Sequence, residues 1–144
     1  MANFYTALSS HEIAGKIAEL LNTCNKLKKR HNVYTIMNSN TIYFVDTIRG
    51  QVAGCIGKIK EGHHLTRILH LCVHPNFRRF GLARKLLNVA VERTDSIYAY
   101  ATVRKDNTAS IELFKSAGFI AVDNADVITF GKIVNQAGAL HVRI

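Results

Sequence analysis

The sequence is poor in several features, and each shortage argues against a class of protein. It has one proline and no tryptophan among 144 residues. So little proline argues against several domains joined by linkers. Its longest apolar runs are roughly six residues, far short of the roughly 20 that cross a bilayer. The first residues contain no basic stretch followed by an apolar core, so we expect no secretory signal and no membrane partner.

Cysteine is scarce as well. The three cysteines, Cys24, Cys55 and Cys72, lie far apart among apolar or helix-compatible residues. This pattern predicts buried thiols in a reducing compartment. The seven histidines do not show the spacing of metal ligands with a third partner, so no metal site is predicted. With 48% apolar residues, we expect a single cytoplasmic domain over residues 1–144.

Acidic residues are missing from a long central stretch. None occurs between Glu61 and Glu92, and residues 1–85 hold 13 Lys and Arg against four Asp and Glu. Residues 86–144 hold six of each, so the whole formal charge of +9 comes from the first part of the chain. This excess of positive charge favours the binding of a polyanionic ligand, either a phosphorylated cofactor or a nucleic acid. For any single group of basic residues, the alternative is a solvent-exposed basic surface that binds no ligand.

Hydrophobic periodicity predicts a mixed α/β sandwich with one central sheet. The predicted strands cover residues 3–8, 41–47, 52–59, 67–73, 97–103, 119–122 and 127–133, with a last strand near 138–144. The predicted helices cover residues 9–22, 81–93 and 108–117. Gly118 is expected to end the third helix, and Tyr34 and Tyr43 are candidates for strand core.

The most informative segment follows the strand that ends at Val73. There the chain turns through a loop, and a helix begins around Gly81. The first turn of a helix has unpaired N–H groups and the positive end of the helix dipole, which together hold a phosphate or pyrophosphate. Gly81 and Ala83 lack bulk where phosphates approach the backbone. Three arginines can add charge-assisted hydrogen bonds, namely Arg78, Arg79 and Arg84.

This segment resembles a known family. The residues Arg78-Arg79-Phe80-Gly81-Leu82-Ala83 match the pyrophosphate-binding pattern (Gln/Arg)-x-x-Gly-x-(Gly/Ala) of the GNAT family of N-acetyltransferases. A second segment, residues 106–119, resembles the family's helix that begins at an asparagine, here Asn107, and ends in Gly118-Phe119. The resemblance runs from about residue 41 to residue 122.

The resemblance implies a fold and an acyl donor. The fold is α/β, with a mixed, mostly antiparallel central sheet that is splayed between strands 4 and 5, at 67–73 and 97–103, and flanked by helices. The donor is acetyl-CoA or another acyl-CoA, with its pantetheine arm along the backbone of strand 4 and its pyrophosphate against the N–H groups that follow. The residues assigned to it are Leu71, Cys72, Val73, Arg78, Arg79, Phe80, Gly81, Leu82, Ala83, Arg84, Asn107, Ser110 and Phe114.

The resemblance also implies direct attack of an amine on the thioester, with the oxyanion held by a backbone N–H near Val73. Two positions depart from the family pattern. Arg67 stands where many relatives have a catalytic glutamate, and Phe114 stands where many have a tyrosine that protonates the departing thiolate. The remaining candidates for proton transfer are His70, Tyr98 and Tyr100. Strand alternation places His70 on the opposite face from Arg67, which is more typical of a core histidine than of a base.

Without a carboxylate base, some acceptors become easier to rationalise than others. A lysine amine is neutral at pH 7 only at a cost of about 4.6 kcal/mol, whereas a terminal α-amine costs about 1.4 kcal/mol. An exocyclic nucleobase amine is already uncharged. The charge of +9 also disfavours a polyamine.

The sequence therefore leaves three functions open. It is compatible with either a monomer or a homodimer. The first is an acetyl-CoA-dependent N-acetyltransferase with an amine acceptor of unknown class. The second is an acyltransferase that modifies a nucleic acid or a nucleotide, as the Mom-type phage proteins do. The third is a catalytically silent module that binds acyl-CoA or nucleic acid.

Overall fold

The computed structural model describes residues 10–24 and 30–135 of the chain. These residues form four α-helices, six strands and one short 3-10 helix. In chain order they are α1 (Ser10–Cys24), α2 (Val33–Met37), β1 (Ile42–Ile48), β2 (Gln51–Lys60), β3 (Leu65–Val73), the 3-10 helix (Pro75–Phe77), α3 (Leu82–Glu92), β4 (Tyr98–Arg104), α4 (Thr108–Ser116), β5 (Ile120–Asp123) and β6 (Val127–Ile133).

The structure confirms every predicted helix and strand that falls on these residues, and it adds one helix. The prediction that Tyr34 is strand core is wrong, because Tyr34 lies in α2 and is exposed. Asn32 caps α2, accepting hydrogen bonds from the backbone of Tyr34 and Thr35. The predicted strands at 3–8 and 138–144 lie outside the described residues.

The six strands form one sheet in the order β1-β2-β3-β4-β6-β5. Strands β4 and β6 are antiparallel, as are β5 and β6, whereas β3 and β4 are parallel. The parallel ladder pairs Leu65 with Tyr98, Thr66 with Ala99 and Arg67 with Tyr100. The predicted fold class, a mixed α/β fold with a mostly antiparallel sheet flanked by helices, is confirmed.

Contacts group the chain into two compact units. The first unit comprises Met1–Gly57 and His70–Ala90, and the second comprises Lys58–Leu69 and Val91–Ile144. The prediction of a single domain over the whole chain stays a prediction. Among the described residues, no helix is both long and apolar enough to cross a bilayer.

The core of the first unit packs one face of α1 against β1, β2 and the end of β3. Its buried side chains include Ala14, Ile17, Ala18, Leu20, Leu21, Ile36, Val45, Val52, Cys55 and Cys72. All three cysteines are free thiols, and Cys55 and Cys72 are buried as predicted, while Cys24 is half-buried. Burial raises the pKa of Cys55 from 9.0 to about 12 and also raises the pKa of Cys72.

The raised pKa of Cys55 predicts a loss of stability in alkaline solution. Between pH 9 and 12 the unfolded chain loses the Cys55 proton while the folded chain keeps it, so the free energy of unfolding falls as pH rises. We expect Cys55→Ala to flatten this decline by up to about 1.4 kcal/mol per pH unit. Urea unfolding across this pH range measures the slope. A slope for Cys55→Ala equal to that of the unmodified chain would contradict the assignment.

The core of the second unit forms between α4 and one face of its strands. The Phe130 side chain of β6 is fully buried, and its ring stacks on that of Phe114 in α4 with 5.4 Å between centroids. The Phe119 ring meets Phe114 edge-on at 5.1 Å. Gly118 has φ +86 and follows the last turn of α4, which confirms the predicted helix end.

Candidate functional site

Three hydrogen bonds shape the loop between β3 and α3, which lies within the first unit. The N–H of His74 donates to the carbonyl oxygen of Ala53 at 2.7 Å. The His74 ring nitrogen Nδ1 accepts from the N–H of Asn76 at 3.1 Å, at the start of the 3-10 helix. Nε of Arg78 donates to the carbonyl oxygen of Val73 at 3.1 Å. This hydrogen bond therefore links Arg78 of the loop to Val73, the last residue of β3.

Two residues with positive φ lie on either side of Phe80. Arg79 has φ 71 and Gly81 has φ 76, so both residues lie in the left-handed region of backbone conformation. Phe80, between them, is 69% exposed. The carbonyl oxygen of Gly81 accepts from the N–H of Lys85 at 3.1 Å, which makes Gly81 the N-cap residue directly before α3. No described atom lies within 4 Å of the position that a Cβ on Gly81 would take.

The start of α3 has the properties of an anion-binding site. The first N–H groups of a helix have no partner within the helix, and the dipole places partial positive charge there. The side chains of Leu82 and Leu86 are buried and anchor α3 in the first unit. Three exposed arginines add full charges, and they are Arg78, Arg79 and Arg84. The predicted phosphate-binding residues thus share one loop and one helix turn, although their contacts with a ligand stay predictions.

His70 occupies an unusual backbone position within β3. Its φ is 58, the left-handed region, so strict alternation along the strand is interrupted there. Its ring nitrogen Nδ1 lies 2.6 Å from the hydroxyl of Tyr43, and its ring meets His31 edge-on at 5.0 Å between centroids. Burial raises the pKa of Tyr43 to about 12. His70 is therefore engaged within the first unit, and its catalytic role stays a prediction.

Asn107 begins α4 in the second unit. Its Oδ1 accepts a hydrogen bond from the N–H of Ser110 at 3.2 Å, which is the usual hydrogen bond of an N-cap. The resemblance assigns both residues to the cofactor, and the structure gives Asn107 a structural role as well.

The cap predicts the behaviour of two variants. Asn107→Ala leaves the N–H of Ser110 without its side-chain partner, and we expect the free energy of unfolding to fall by about 1 kcal/mol. Asn107→Ser keeps a capping oxygen and restores most of that stability. Urea unfolding measures both. If Asn107 acts only as a cap, Asn107→Ser should bind acetyl-CoA as tightly as the unmodified chain does. If Asn107 also contacts the cofactor, Asn107→Ser should bind acetyl-CoA more weakly although its stability is unchanged.

Phe114 is 3% exposed and lies between Phe119 and Phe130. Its ring is part of the core of the second unit. The assignment of Phe114 to the cofactor stays a prediction, which this burial does not favour.

A carboxylate that the sequence analysis missed lies beside a predicted catalytic tyrosine. The Tyr100 hydroxyl donates a hydrogen bond to Oε1 of Glu61. This hydrogen bond, ahead of desolvation, raises the pKa of Tyr100. Arg67 pairs with Tyr100 in the β3–β4 ladder, and Tyr98, two residues earlier, is 47% exposed. No sequence motif connects Glu61, in the loop between β2 and β3, with Tyr100 of β4.

The comparison with protein families finds one match. A family model described as "Acetyltransferase (GNAT) family" matches residues 12–119. No curated protein has a sequence that matches this chain significantly.

Solved structures share the fold at low sequence identity. The chain is similar to Ard1 from Thermoplasma volcanium, with 22% identity, a TM-score of 0.70 and coverage of 84% of this chain and 93% of that one. It is similar to the ribosomal-protein-S18-alanine N-acetyltransferase from Escherichia coli, with 17% identity, a TM-score of 0.74 and coverage of 90% and 92%. It is also similar to a GNAT family acetyltransferase from Elizabethkingia anophelis with acetyl-CoA bound, with 14% identity, a TM-score of 0.68 and coverage of 80% and 88%.

Proposed function

This chain belongs to the GNAT family of acetyltransferases, and on that basis we propose that it transfers the acetyl group of acetyl-CoA to a primary amine. The observation that carries the proposal is the turn around Gly81. It combines an open glycine, the N-terminus of α3 and three exposed arginines within the first unit.

The residues of this turn fit the pyrophosphate of coenzyme A. A Cβ at Gly81 would meet no described residue within 4 Å apart from its chain neighbours, so the glycine leaves room for phosphate oxygens at the backbone. The N–H groups of Leu82, Ala83 and Arg84 would bind those oxygens, and the arginine side chains would neutralise their charge. The acetyl-CoA in the Elizabethkingia anophelis structure supports this choice of donor.

The proposed reaction joins the amine nitrogen to the acetyl carbon and breaks the bond from that carbon to sulfur. When bound, acetyl-CoA supplies a thioester carbonyl that an uncharged amine can attack. The backbone N–H of Val73 is proposed to donate to the carbonyl oxygen as negative charge develops there. The nitrogen loses a proton and the departing sulfur gains one. Tyr98, Tyr100 and His70 remain the candidates for handling these protons.

The cost of neutralising the acceptor favours an α-amine. At pH 7 a lysine amine needs about 3 kcal/mol more than a terminal α-amine to lose its proton. The similarity to the ribosomal-protein-S18-alanine N-acetyltransferase from Escherichia coli supports the same choice.

An acyltransferase acting on a nucleic acid or nucleotide is the second candidate. The concentration of positive charge in residues 1–85 favours it. Its activity should fall steeply with salt, whereas a transferase for a neutral peptide should respond weakly. We further propose a reducing location such as the cytoplasm, in keeping with three free thiols.

One assay separates the candidates. The protein is mixed with acetyl-CoA and, in parallel, with N-terminal peptides, lysine-containing peptides with blocked N-termini, nucleotides and DNA. Release of free coenzyme A and a mass gain of one acetyl group on the acceptor are measured. A transferase releases coenzyme A only with its acceptor, whereas a silent module binds acetyl-CoA and never turns it over. If calorimetry at low ionic strength detects no binding of acetyl-CoA, the proposed function is wrong.

A further inference from the structure

Strand β3 contains one residue with a strained backbone. Among the described residues other than glycine, a positive φ occurs at Arg49, His70 and Arg79. Arg49 and Arg79 lie in turns, whereas His70, with φ 58, lies inside β3. A left-handed residue costs free energy that neighbouring contacts must offset, and such residues are concentrated at functional sites. The contacts that hold His70 therefore bear on function.

The ring and the main chain of His70 both have partners within the first unit. The ring nitrogen Nδ1 lies 2.6 Å from the hydroxyl oxygen of Tyr43, and the two rings stack with 5.9 Å between centroids. The Cys55 thiol donates to the carbonyl oxygen of His70 at 3.4 Å. His31 meets the His70 ring edge-on, and Asn22 makes two hydrogen bonds of 2.8 Å with the His31 backbone. Contacts from several elements thus fix the backbone at His70.

The hydrogen bond between Tyr43 and His70 passes over a strand. Tyr43 lies in β1 and His70 in β3, and β2 separates these strands in the sheet. Backbone ladders join only neighbouring strands, so here the two side chains alone connect β1 with β3. Burial raises the pKa of Tyr43 to about 12, so its hydroxyl stays protonated at neutral pH. A single hydroxyl group therefore anchors the His70 ring across the intervening strand.

The residues that follow His70 carry the proposed donor site. Leu71, Cys72 and Val73 end β3, and their backbone is expected to hold the pantetheine arm and the thioester oxygen. A residue that departs from the regular pleat changes the directions in which the peptide groups beside it point. A strand advances about 3.3 Å per residue, so Val73 lies about 10 Å along the chain from His70. With its Nδ1 bonded to Tyr43, His70 is better placed to act on the thioester through the main chain than through its ring.

We propose that Tyr43 is a positioning residue for acyl transfer. Its hydroxyl holds His70 in the left-handed conformation, and this conformation directs the peptide N–H groups at the end of β3 toward the acyl donor. His70 then acts through its backbone and does not carry a proton. This inference rests on the proposed acetyltransferase function and assigns roles to two residues within it.

The first experiment removes the hydroxyl and keeps the ring. Tyr43→Phe is assayed with acetyl-CoA and a peptide whose N-terminus is free. We expect kcat to fall roughly tenfold, because the thioester is held less accurately against the N–H groups of β3. The dissociation constant of coenzyme A, from calorimetry, should change less than about twofold, since the turn around Gly81 is untouched and the lost interaction acts in the transition state.

Two variants of the same unit are the controls. Tyr34→Phe removes the hydroxyl of an exposed tyrosine in α2 and should leave kcat unchanged. Ile17→Val shortens a buried side chain of α1, so urea unfolding should show a loss of stability while kcat stays unchanged. A kcat for Tyr43→Phe equal to that of Tyr34→Phe would overturn the inference. A fall in kcat for Ile17→Val as large as that for Tyr43→Phe would reduce the role of Tyr43 to stability and would also overturn it.

The second experiment separates the backbone of His70 from its imidazole. His70→Gly and His70→Ala both remove the ring, but only glycine adopts a positive φ without a steric cost. We expect kcat of His70→Gly to exceed that of His70→Ala roughly tenfold. His70→Asn should lie between them, because asparagine tolerates the left-handed region better than alanine does. Equal kcat values for the glycine and alanine variants would assign the role to the imidazole and overturn the inference.

A double variant tests whether the two residues act together. In Tyr43→Phe/His70→Gly the hydroxyl has already lost its partner on the ring, so we expect the kcat of His70→Gly alone. Effects that multiply, with a further tenfold fall, would show that Tyr43 acts independently of His70 and would overturn the inference. Urea unfolding of each variant checks that the compared proteins are folded under the conditions of the assay.

The failures of the two proposals can be told apart. If the unmodified protein acetylates no amine, the proposed function is wrong, and the inference that rests on it is wrong as well. If the unmodified protein is active but Tyr43→Phe behaves like Tyr34→Phe, the function stands and only the role of Tyr43 is wrong.

Discussion

Gly81→Val is expected to weaken acetyl-CoA binding at least roughly a hundredfold. Gly81 has φ 76, a conformation that costs a β-branched residue about 1–2 kcal/mol. The valine side chain would also occupy the space where phosphate oxygens reach the N–H groups of α3, and each lost hydrogen bond to a charged group costs about 1.5–3 kcal/mol. The backbone strain lowers the stability of the free and the bound chain alike, whereas the loss of two such hydrogen bonds, about 3–6 kcal/mol, exceeds the roughly 2.7 kcal/mol that a hundredfold weaker affinity requires. Calorimetry at low ionic strength measures the dissociation constant.

The chain contains a matched control for this variant. Gly50 lies in the turn between β1 and β2, has φ 77 and, like Gly81, has no described atom within 4 Å of a Cβ position. Gly50→Val therefore imposes the same backbone strain at a place without a proposed ligand. We expect it to lower stability while leaving acetyl-CoA affinity unchanged. Equal affinities of the two variants would show that the turn around Gly81 does not hold the pyrophosphate.

Phe130→Ala is expected to lower the free energy of unfolding by about 3–5 kcal/mol. Phe130 is fully buried in the second unit, and its removal leaves a cavity beside the rings of Phe114 and Phe119. Such a loss is a large part of the total stability of a typical domain. Phe130→Leu, with a smaller cavity, keeps the measurement accessible if the alanine variant does not fold.

Urea unfolding tests this prediction, and Ile120→Ala is its control. Ile120 lies on the neighbouring strand β5 and is 74% exposed, so its truncation should change stability by less than about 0.5 kcal/mol. If Phe130→Ala is no more destabilising than Ile120→Ala, the stacking of α4 on the sheet is not the core of this unit.

Much of the fold follows from local patterns in the sequence. Period-two alternation predicted β4 and β6, because their buried side chains all lie on one face. Asn107 and Gly118 marked the two ends of α4, since capping depends on residues close in sequence. The loop around Gly81 was predictable for the same reason.

Other features depend on contacts that no local pattern encodes. Helix α2 has five residues, too few for a helical period to stand out, although its capping pair Asn32 and Thr35 was visible in the sequence. The hydrogen bond between Tyr100 and Glu61 joins residues 39 positions apart, and Glu61 lies in the loop between β2 and β3 rather than in a strand. The positive φ of His70 likewise had no signal, because an aromatic polar residue within a strand usually follows the regular pleat.

The paired left-handed residues around Phe80 have a kinetic consequence. Because Arg79 and Gly81 already have these dihedral angles in the folded chain, the backbone of the turn is preorganised for a ligand. No slow rearrangement of the backbone then precedes association, so diffusion and the attraction of nearby guanidinium groups set the rate of encounter. Stopped-flow traces should accordingly show a single phase that becomes slower as ionic strength rises.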